Sequence, residues 1–109
     1  MDIKDFQNKV RNFTGEKFPS APSYLALIKT FEESGELAGH FVKRIEHRVG
    51  SPEIDHQKGI EDAVGDIIIS LCTFCCRENL DMNKIVEDTW DEVSKRTYIM
   101  VKETKHADN

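Results

Sequence analysis

The side chains best suited to chemistry in this sequence are two pairs of carboxylates. Glu33 and Glu36 lie three residues apart, and Asp62 and Asp66 lie four apart at the start of an almost wholly apolar stretch ending at Cys76. Either spacing puts both members of a pair on one face of a helix. Buried carboxylates are costly unless they are paired, hydrogen-bonded or bound to a metal. The pattern therefore predicts that positive charge meets these groups.

Two long helices must position the carboxylates. One is predicted over residues 22–48, ended by Gly50 and Pro52, and the other over residues 54–78. The second is apolar on all sides, which predicts that other helices surround it. A connector near residues 49–53 makes the two helices antiparallel. At about 1.5 Å per residue, both carboxylate pairs then lie at similar heights. The apolar stripe predicted for the first of these helices consists of Leu25, Ile28, Phe31, Gly35, Ala38, Val42 and Ile45.

The rest of the chain predicts two further helices. Residues 2–13 repeat apolar side chains at spacings of three and four, residues 14–22 form a connector, and residues 82–104 carry another apolar stripe. No strand alternation persists. The predicted fold class is all-α, a four-helix bundle built on a long antiparallel helical hairpin. Residues 1–104 form a single domain, and residues 105–109 form a frayed polar tail.

Composition excludes several classes of function. The chain has 109 residues, 39% hydrophobic and 32% charged, with a formal net charge of −5. A negative chain without a basic cluster argues against binding a nucleic-acid polymer or an acidic membrane. No apolar run approaches the roughly 18 residues of a membrane span, and no signal peptide is present, so we expect a cytoplasmic protein. The three cysteines are expected to act as small buried hydrophobes in a reducing compartment: Cys72, Cys75 and Cys76.

Four carboxylates that converge on one small volume cannot all be ionised without counter-charge. Oxygen ligands suit Mg²⁺, with Mn²⁺ as a possible substitute. Because Mg²⁺ commonly joins protein carboxylates to substrate phosphates, the chemistry implied is hydrolysis of a phosphoanhydride. Gly35 would let the helices, or a ligand, approach closely. A structural ion pair with Lys29, Lys43 or Arg44 would explain Asp66, at the edge of the apolar stretch, about as well.

Two segments of this sequence together resemble the MazG-like all-α nucleoside triphosphate pyrophosphohydrolases: LIKTFEESGELAGHFVK and IEDAVGDIIISL. That superfamily includes dimeric dUTPases, dCTP pyrophosphatases and phosphoribosyl-ATP pyrophosphohydrolases. Its mark is Glu-x-x-Glu on one helix and Glu-x-x-Asp on the next. IKDFQNKV is similar to the family's first helix and WDEVSKR to a segment of its last helix. The resemblance covers most of residues 3–98, and it implies a homodimer or homotetramer.

The resemblance assigns metal ligands. Glu33 and Glu36 match the first motif, and Asp66 matches the end of the second. The residue three before Asp66 is Ala63 instead of glutamate, and Asp62 is the carboxylate four before it. The resemblance thus implies that Glu33, Glu36, Asp62 and Asp66 bind Mg²⁺, and that a substrate nucleoside triphosphate is cut to a monophosphate and pyrophosphate.

Supporting roles follow by the same comparison. Glu32 could serve as general base, which completes a catalytic set with Glu33 and Glu36, although a solvated glutamate is an equal alternative. Lys43 could reach a phosphate oxygen, and Arg96 could neutralise transition-state charge; a plain surface role is the alternative for each. The first helix, the 14–22 connector and a neighbouring subunit are all candidates for recognising the base.

Two other classes of function stay open. The departure at Ala63 favours a non-catalytic nucleotide-binding or regulatory helical protein on the same scaffold. A carboxylate-bridged di-iron bundle would need Glu-x-x-His on two helices. Glu53 with His56, and Glu103 with His106, have that spacing.

Overall fold

The computed structural model describes residues 1–46, 55–99 and 101, and these contain α-helices and no strand. The predicted all-α class is confirmed for this part of the chain. The predicted polar tail, residues 105–109, lies outside the described residues, as do Glu53, Glu103 and His106 of the di-iron spacing. The helices are α1 (Ile3–Lys17), α2 (Ser23–Ile45), α3 (His56–Arg77) and α4 (Met82–Ser94).

Aspartate side chains begin three of these helices. In each, the carboxylate before the first helical residue accepts a hydrogen bond from the backbone N–H three positions later: Asp2, Asp55 and Asp81. Such N-caps satisfy amide groups that have no partner inside the helix. The second helix starts differently, because Pro22 precedes it without a side-chain cap bond. Helix starts are therefore encoded locally in the sequence.

The main contact between helices joins α2 to α3, while α1 packs on α3 and α4 packs on α1. Arg44, near the end of α2, donates a 2.5 Å hydrogen bond to Gln57 at the start of α3. Glu33, earlier in α2, lies within electrostatic range of Asp66, later in α3. Contacts in this order are those of an antiparallel pair, which brings the predicted Glu and Asp motifs to the same region.

The end of α1 is fixed by an arginine from α3. α1 ends at Lys17, so its predicted end at residue 13 is wrong. The guanidinium of Arg77 donates to the backbone oxygens of Thr14, at 3.0 Å, and Phe18. These carbonyls lie at the end of α1 and also accept backbone hydrogen bonds from Phe18 and Ala21, so Arg77 adds a second donor to each. Arg77 therefore ties the last turn of α1 to α3, a contact that local sequence patterns do not reveal.

The end of α4 also differs from the prediction. α4 ends at Ser94, and residues 95–99 are not helical, so the predicted continuation of the helix through these residues is wrong; residues 102–104 of the prediction lie outside the described residues. Tyr98 and Ile99 are 69% and 87% exposed. Because helix stability in proteins comes mainly from packing an apolar face, a segment whose apolar side chains meet no partner does not prolong the helix.

The buried core is small, and α3 is not surrounded within one chain. Val64, Ile68 and Ile69 of α3 stay largely exposed, so the prediction that other helices enclose α3 is wrong for a single copy. The predicted stripe of α2 also faces outward, with Phe31 83% exposed. The side chains that are buried in the described part of the chain are those of Gln7, Val10, Thr14, Ala26, Glu33, Ala63, Cys72 and Cys75.

The cysteines behave as the sequence predicts. Cys72 is fully buried, Cys75 is buried and Cys76 is half-buried, and all three are free thiols. Burial, together with the neighbouring Cys76 thiol, raises the pKa of Cys72 to about 12. A thiol of this kind is held protonated and unreactive. Among the described helices, none is long and apolar enough to cross a membrane.

Candidate functional site

Three of the predicted carboxylates come together where α2 faces α3. Glu33 is buried at 9% exposure, whereas Glu36 and Asp66 are exposed. Burial raises the pKa of Glu33, and a hydrogen bond with the Glu36 side chain and repulsion from Glu36 and Asp66 raise it further. Lys29 opposes the shift in part. Burial and neighbouring negative charge therefore both disfavour the ionised form of Glu33.

Asp62 stands apart from these three. It pairs with Lys58 at 3.5 Å, and the two side chains are 63% and 72% exposed. The position three before Asp66 is occupied by Ala63, which is buried at 3% exposure. Successive helical residues are rotated by about 100°, so the carboxylate at Asp62 points away from the face that Ala63 buries. The structure therefore joins Glu33, Glu36 and Asp66, and leaves Asp62 towards solvent.

The three neighbouring carboxylates do not form a finished ligand set. Within the described ranges, no group of three or more His, Cys, Asp or Glu side chains is arranged to hold a metal ion. The repulsion that raises the pKa of Glu33 is nevertheless what a cation would relieve. Glu33, Glu36 and Asp66 thus fit a hard divalent cation by charge and ligand type, with side-chain rearrangement needed to bring their oxygens to one point.

A shallow groove of about 400 Å³ runs along the exposed side of α2 beside Glu36. Two other predicted residues, Glu32 and Lys43, line it, and this groove will be called the glutamate groove. Gly35 also lines it, but a methyl group built at Gly35 would meet nothing within 4 Å. The predicted close approach of helices at Gly35 is therefore wrong. The groove is lined by Glu32, Gly35, Glu36, Gly39, His40 and Lys43.

A larger apolar cleft of about 820 Å³ lies between α1, α2 and α3. Its walls include Phe6, Phe13 and Phe18, and Glu33 and Asp66 stand at its edge. The sequence indicated α1 and the following connector only as candidates for base recognition. The apolar spacing along α1 predicts a packed face, and the structure shows that Phe6 and Phe13 of this face also line an open cleft.

Arg96 is not part of this region. It follows α4 and donates a 3.1 Å hydrogen bond to Glu92. Hydrogen bonds with Tyr98 and Glu92 raise the pKa of the Arg96 guanidinium. Neither the glutamate groove nor the apolar cleft includes Arg96 among its described lining residues. Within one chain, Arg96 therefore interacts with the end of α4.

The chain matches no protein-family model, no curated protein and no solved structure. The resemblance to MazG-like pyrophosphohydrolases therefore stays a prediction that rests on the two acidic motifs. The structure adds to it the proximity of Glu33, Glu36 and Asp66, which come from different helices.

Proposed function

We propose that this protein is a Mg²⁺-dependent nucleoside triphosphate pyrophosphohydrolase that converts a ribo- or deoxyribonucleoside triphosphate to its monophosphate and pyrophosphate. The observation that carries the proposal is the electrostatic coupling of Glu33 and Glu36 on α2 with Asp66 on α3. Acidic side chains from two neighbouring helices, arranged in the order of the MazG-like motifs, then lie close enough for Glu36 and Asp66 to raise the pKa of Glu33. This grouping also fits Mn²⁺, which takes the same oxygen ligands.

The proposed ion is held by Glu33, Glu36 and Asp66. Asp62, the fourth predicted ligand, joins only if it releases Lys58, which holds it at 3.5 Å. When bound, the ion polarises a phosphoryl oxygen and offsets charge that develops during hydrolysis. Because the surroundings already raise the pKa of Glu33, a bound cation would favour the ionised carboxylate and lower that pKa.

The side chains of the glutamate groove perform the remaining steps. The Glu32 carboxylate accepts a proton from the attacking water, whose oxygen bonds to phosphorus as the bridge between the α- and β-phosphates breaks. The Lys43 ammonium group contacts a phosphate oxygen, as a compact positive charge does in many phosphate sites. Both side chains line the same groove as Glu36, which supports their acting on one substrate.

The apolar cleft is the proposed place for the nucleoside. It adjoins Glu33 and Asp66, and Phe6, Phe13 and Phe18 contribute to its walls. Aromatic and apolar walls with a few charged groups at one edge are typical of small-molecule sites. Its volume of about 820 Å³ lies within the roughly 300–1,000 Å³ of such sites. Lys29, which also lines it, would meet the phosphate end.

The proposal includes a homodimer or homotetramer. Phe31 and Ile45 of α2 are 83% and 67% exposed, and Ile68 and Ile69 of α3 are 45% and 47% exposed. Extended apolar surface of this kind marks an interaction site more often than a free surface. A second copy of the chain would supply the enclosure that the sequence of α3 predicts.

A nucleotide panel tests the proposed reaction. Purified protein is incubated with canonical and modified nucleoside triphosphates and Mg²⁺ or Mn²⁺, and the products are separated by anion exchange. We expect equal amounts of monophosphate and pyrophosphate. Glu36→Gln should abolish turnover while circular dichroism stays unchanged, and Glu16→Gln, which removes an exposed carboxylate of α1, should retain it. Absence of pyrophosphate with every nucleotide would refute the enzyme.

A second candidate is a non-catalytic nucleotide-binding protein on the same scaffold. It is favoured by Ala63 in place of a glutamate and by the solvent-facing position of Asp62 beside Lys58. In that case a nucleotide with Mg²⁺ raises the melting temperature but is recovered intact after long incubation. Turnover that Glu36→Gln abolishes without loss of folding would eliminate this candidate.

A further inference from the structure

Two histidines face each other across the α2–α3 contact, at the end nearest the connector. The Nδ1 atoms of His40 and His56 are 3.2 Å apart, and the ring centroids are 5.5 Å apart with planes tilted by 54°. Both side chains are half-buried. The proposed hydrolysis assigns no role to either ring.

The His40 ring lies against a glycine of α3. A methyl group built at Gly59 would lie 2.5 to 2.6 Å from the Cε1, Nδ1 and Nε2 atoms of the His40 ring. These distances are shorter than van der Waals contact, so the ring occupies space that only glycine leaves open. At Gly35, Gly39 and Gly65, an added methyl group would meet nothing within 4 Å. The His40 ring therefore packs directly against the backbone of α3 at Gly59.

We infer that His40 and His56 form a binding site for a divalent transition-metal ion of the zinc class. Two nitrogen ligands at about 2.0–2.1 Å from a tetrahedral Zn²⁺ ion are about 3.3–3.4 Å apart. The observed 3.2 Å between the Nδ1 atoms needs only a small rotation of either ring to reach this arrangement. Imidazole suits Zn²⁺, Cu²⁺ and Ni²⁺, whereas Mg²⁺ prefers oxygen. This site is therefore chemically distinct from the carboxylate group.

Water completes the coordination of this ion, since no set of three His, Cys, Asp or Glu ligands occurs in the described parts of the chain. Without metal, the same separation allows an N–H···N hydrogen bond in which one ring carries its proton on Nδ1. Metal binding through both Nδ1 atoms requires that ring to carry its proton on Nε2 instead. This change of tautomer should be detectable in the spectra of the ring nitrogens when the metal binds.

Charged neighbours on both helices bear on the affinity. Lys43 and Arg44 lie on α2 near His40, and the Arg44 guanidinium is engaged with Gln57 of α3. Gln57 also donates to Glu61 at 3.2 Å, and Glu36 lies one turn before His40 in the glutamate groove. Positive and negative groups are thus mixed around the pair, and no single sign of charge repels a cation.

The bound ion joins the two long helices. A ligand that binds the folded state alone stabilises it in proportion to the logarithm of its free concentration. The pair bridges α2 and α3 near the connector, where Arg44 also donates a hydrogen bond to Gln57, so the ion would act as a cross-link between the two helices.

Isothermal titration with Zn²⁺ tests the proposal on the full chain in millimolar Mg²⁺. We expect one zinc per chain, and a melting temperature that rises with zinc concentration. His40→Gln and His56→Gln should each weaken zinc binding by about tenfold or more. Mutating a residue that only hydrogen-bonds to a metal ligand already lowers metal affinity by about that factor. The matched control, His106→Gln, also removes one histidine and should leave zinc affinity unchanged.

Long-range nitrogen spectra of the imidazoles provide the second measurement. Zinc should shift the Nδ1 signals of His40 and His56 while both rings become protonated on Nε2. Equal affinity in wild type and His56→Gln would overturn the proposal, because another site, such as the cysteines, would then hold the ion. Absence of zinc binding by the wild type, or equal weakening by His106→Gln, would overturn it as well.

Discussion

Glu33 is the residue at which fold stability and proposed function oppose each other. Its carboxyl is buried at 9% exposure and sits beside Glu36 and Asp66. Burial first, and then these neighbours, raise its pKa above the ordinary 4.5. The folded protein therefore binds this proton more tightly than the unfolded chain does. A divalent cation at the site would reverse the preference by favouring the ionised form.

This opposition predicts a pH dependence of stability. For a group whose pKa is raised on folding, its stabilising contribution is complete below the unfolded value and is lost as pH rises through the folded value. Without divalent metal, stability should therefore decline from about pH 4.5 upward, and Glu33→Gln should remove this part of the decline. Urea unfolding over a pH series measures it, with Glu16→Gln as the control.

Added Mg²⁺ provides the other half of this test. It should raise the stability of the wild type above the folded pKa of Glu33, and it should have little effect on Glu33→Gln. That variant should also lose about 100-fold or more in turnover, since even groups that only support metal ligands are worth about 10–100-fold. An equal gain from Mg²⁺ in both proteins would show that Glu33 is not a ligand.

A comparison of two aspartates separates the ligand set from its neighbour. Asp66 couples to Glu33, whereas Asp62 forms an exposed pair with Lys58. Asp66→Asn should therefore reduce turnover far more than Asp62→Asn does. Exposed ion pairs contribute about 0–1 kcal/mol, so Asp62→Asn should leave stability nearly unchanged. Equal losses of activity would show that Asp62 leaves Lys58 and turns to the ion during the reaction.

At this scale the sequence predicts the proximity of Glu33, Glu36 and Asp66 but not the position of Asp62. The glutamate spacing and Asp66 follow from helical periodicity and the acidic motifs, and the structure brings those three side chains together. The orientation of Asp62 could not be predicted, because a spacing of four leaves a residue on the edge of a face. Whether it turns inward depends on a competing partner, here Lys58.

At the scale of the helix, α2 and α3 meet on a face that the apolar pattern did not indicate. The buried residues of α2 are Ala26 and Glu33, while Phe31 in the predicted stripe is 83% exposed. Periodicity correctly gave the presence of the helices, since each of the four predicted segments contains one of the helices of the described chain. Periodicity could not distinguish an apolar face that packs within one chain from an apolar face that stays exposed in a single chain.

Substitution by alanine should change the stability of the protein differently at two glycines of α3. Replacing a glycine inside a helix by alanine stabilises it by about 0.5–1 kcal/mol where space allows. Gly65→Ala should show this gain, because an added methyl group meets nothing within 4 Å. Gly59→Ala should be less stable than Gly65→Ala, since its methyl group must displace the His40 ring from 2.5 Å.

Urea unfolding at one temperature compares the two glycine variants with the wild type. The His40 and His56 ring signals should change in Gly59→Ala and stay in place in Gly65→Ala. Equal stabilisation by both substitutions would mean that the His40 ring moves aside freely. The close packing of His40 on α3 would then contribute nothing to the contact between the helices.

At the scale of the whole molecule, one copy of the chain leaves its most apolar surfaces uncovered. In the described residues, only Cys72 among the larger apolar side chains of α3 is fully buried, while Ile68 and Ile69 are 45% and 47% exposed. The sequence of α3 predicts enclosure on all sides, and one chain supplies α2 on one side and part of α1. The sequence cannot state which chain provides the remaining cover, and the proposed homodimer or homotetramer would supply it.

Light scattering tests this self-association at micromolar protein concentration. We expect a dimer or tetramer, and Phe31→Glu should weaken it, since a charge would be buried where Phe31, 83% exposed in one chain, meets its partner. An interface residue of this importance is worth about 2 kcal/mol or more, about thirtyfold in the dissociation constant. Ile99→Glu, equally exposed at 87% but outside the helices, is the control. A monomeric wild type would contradict the prediction, and equal dissociation by both variants would place the interface away from the α2 stripe.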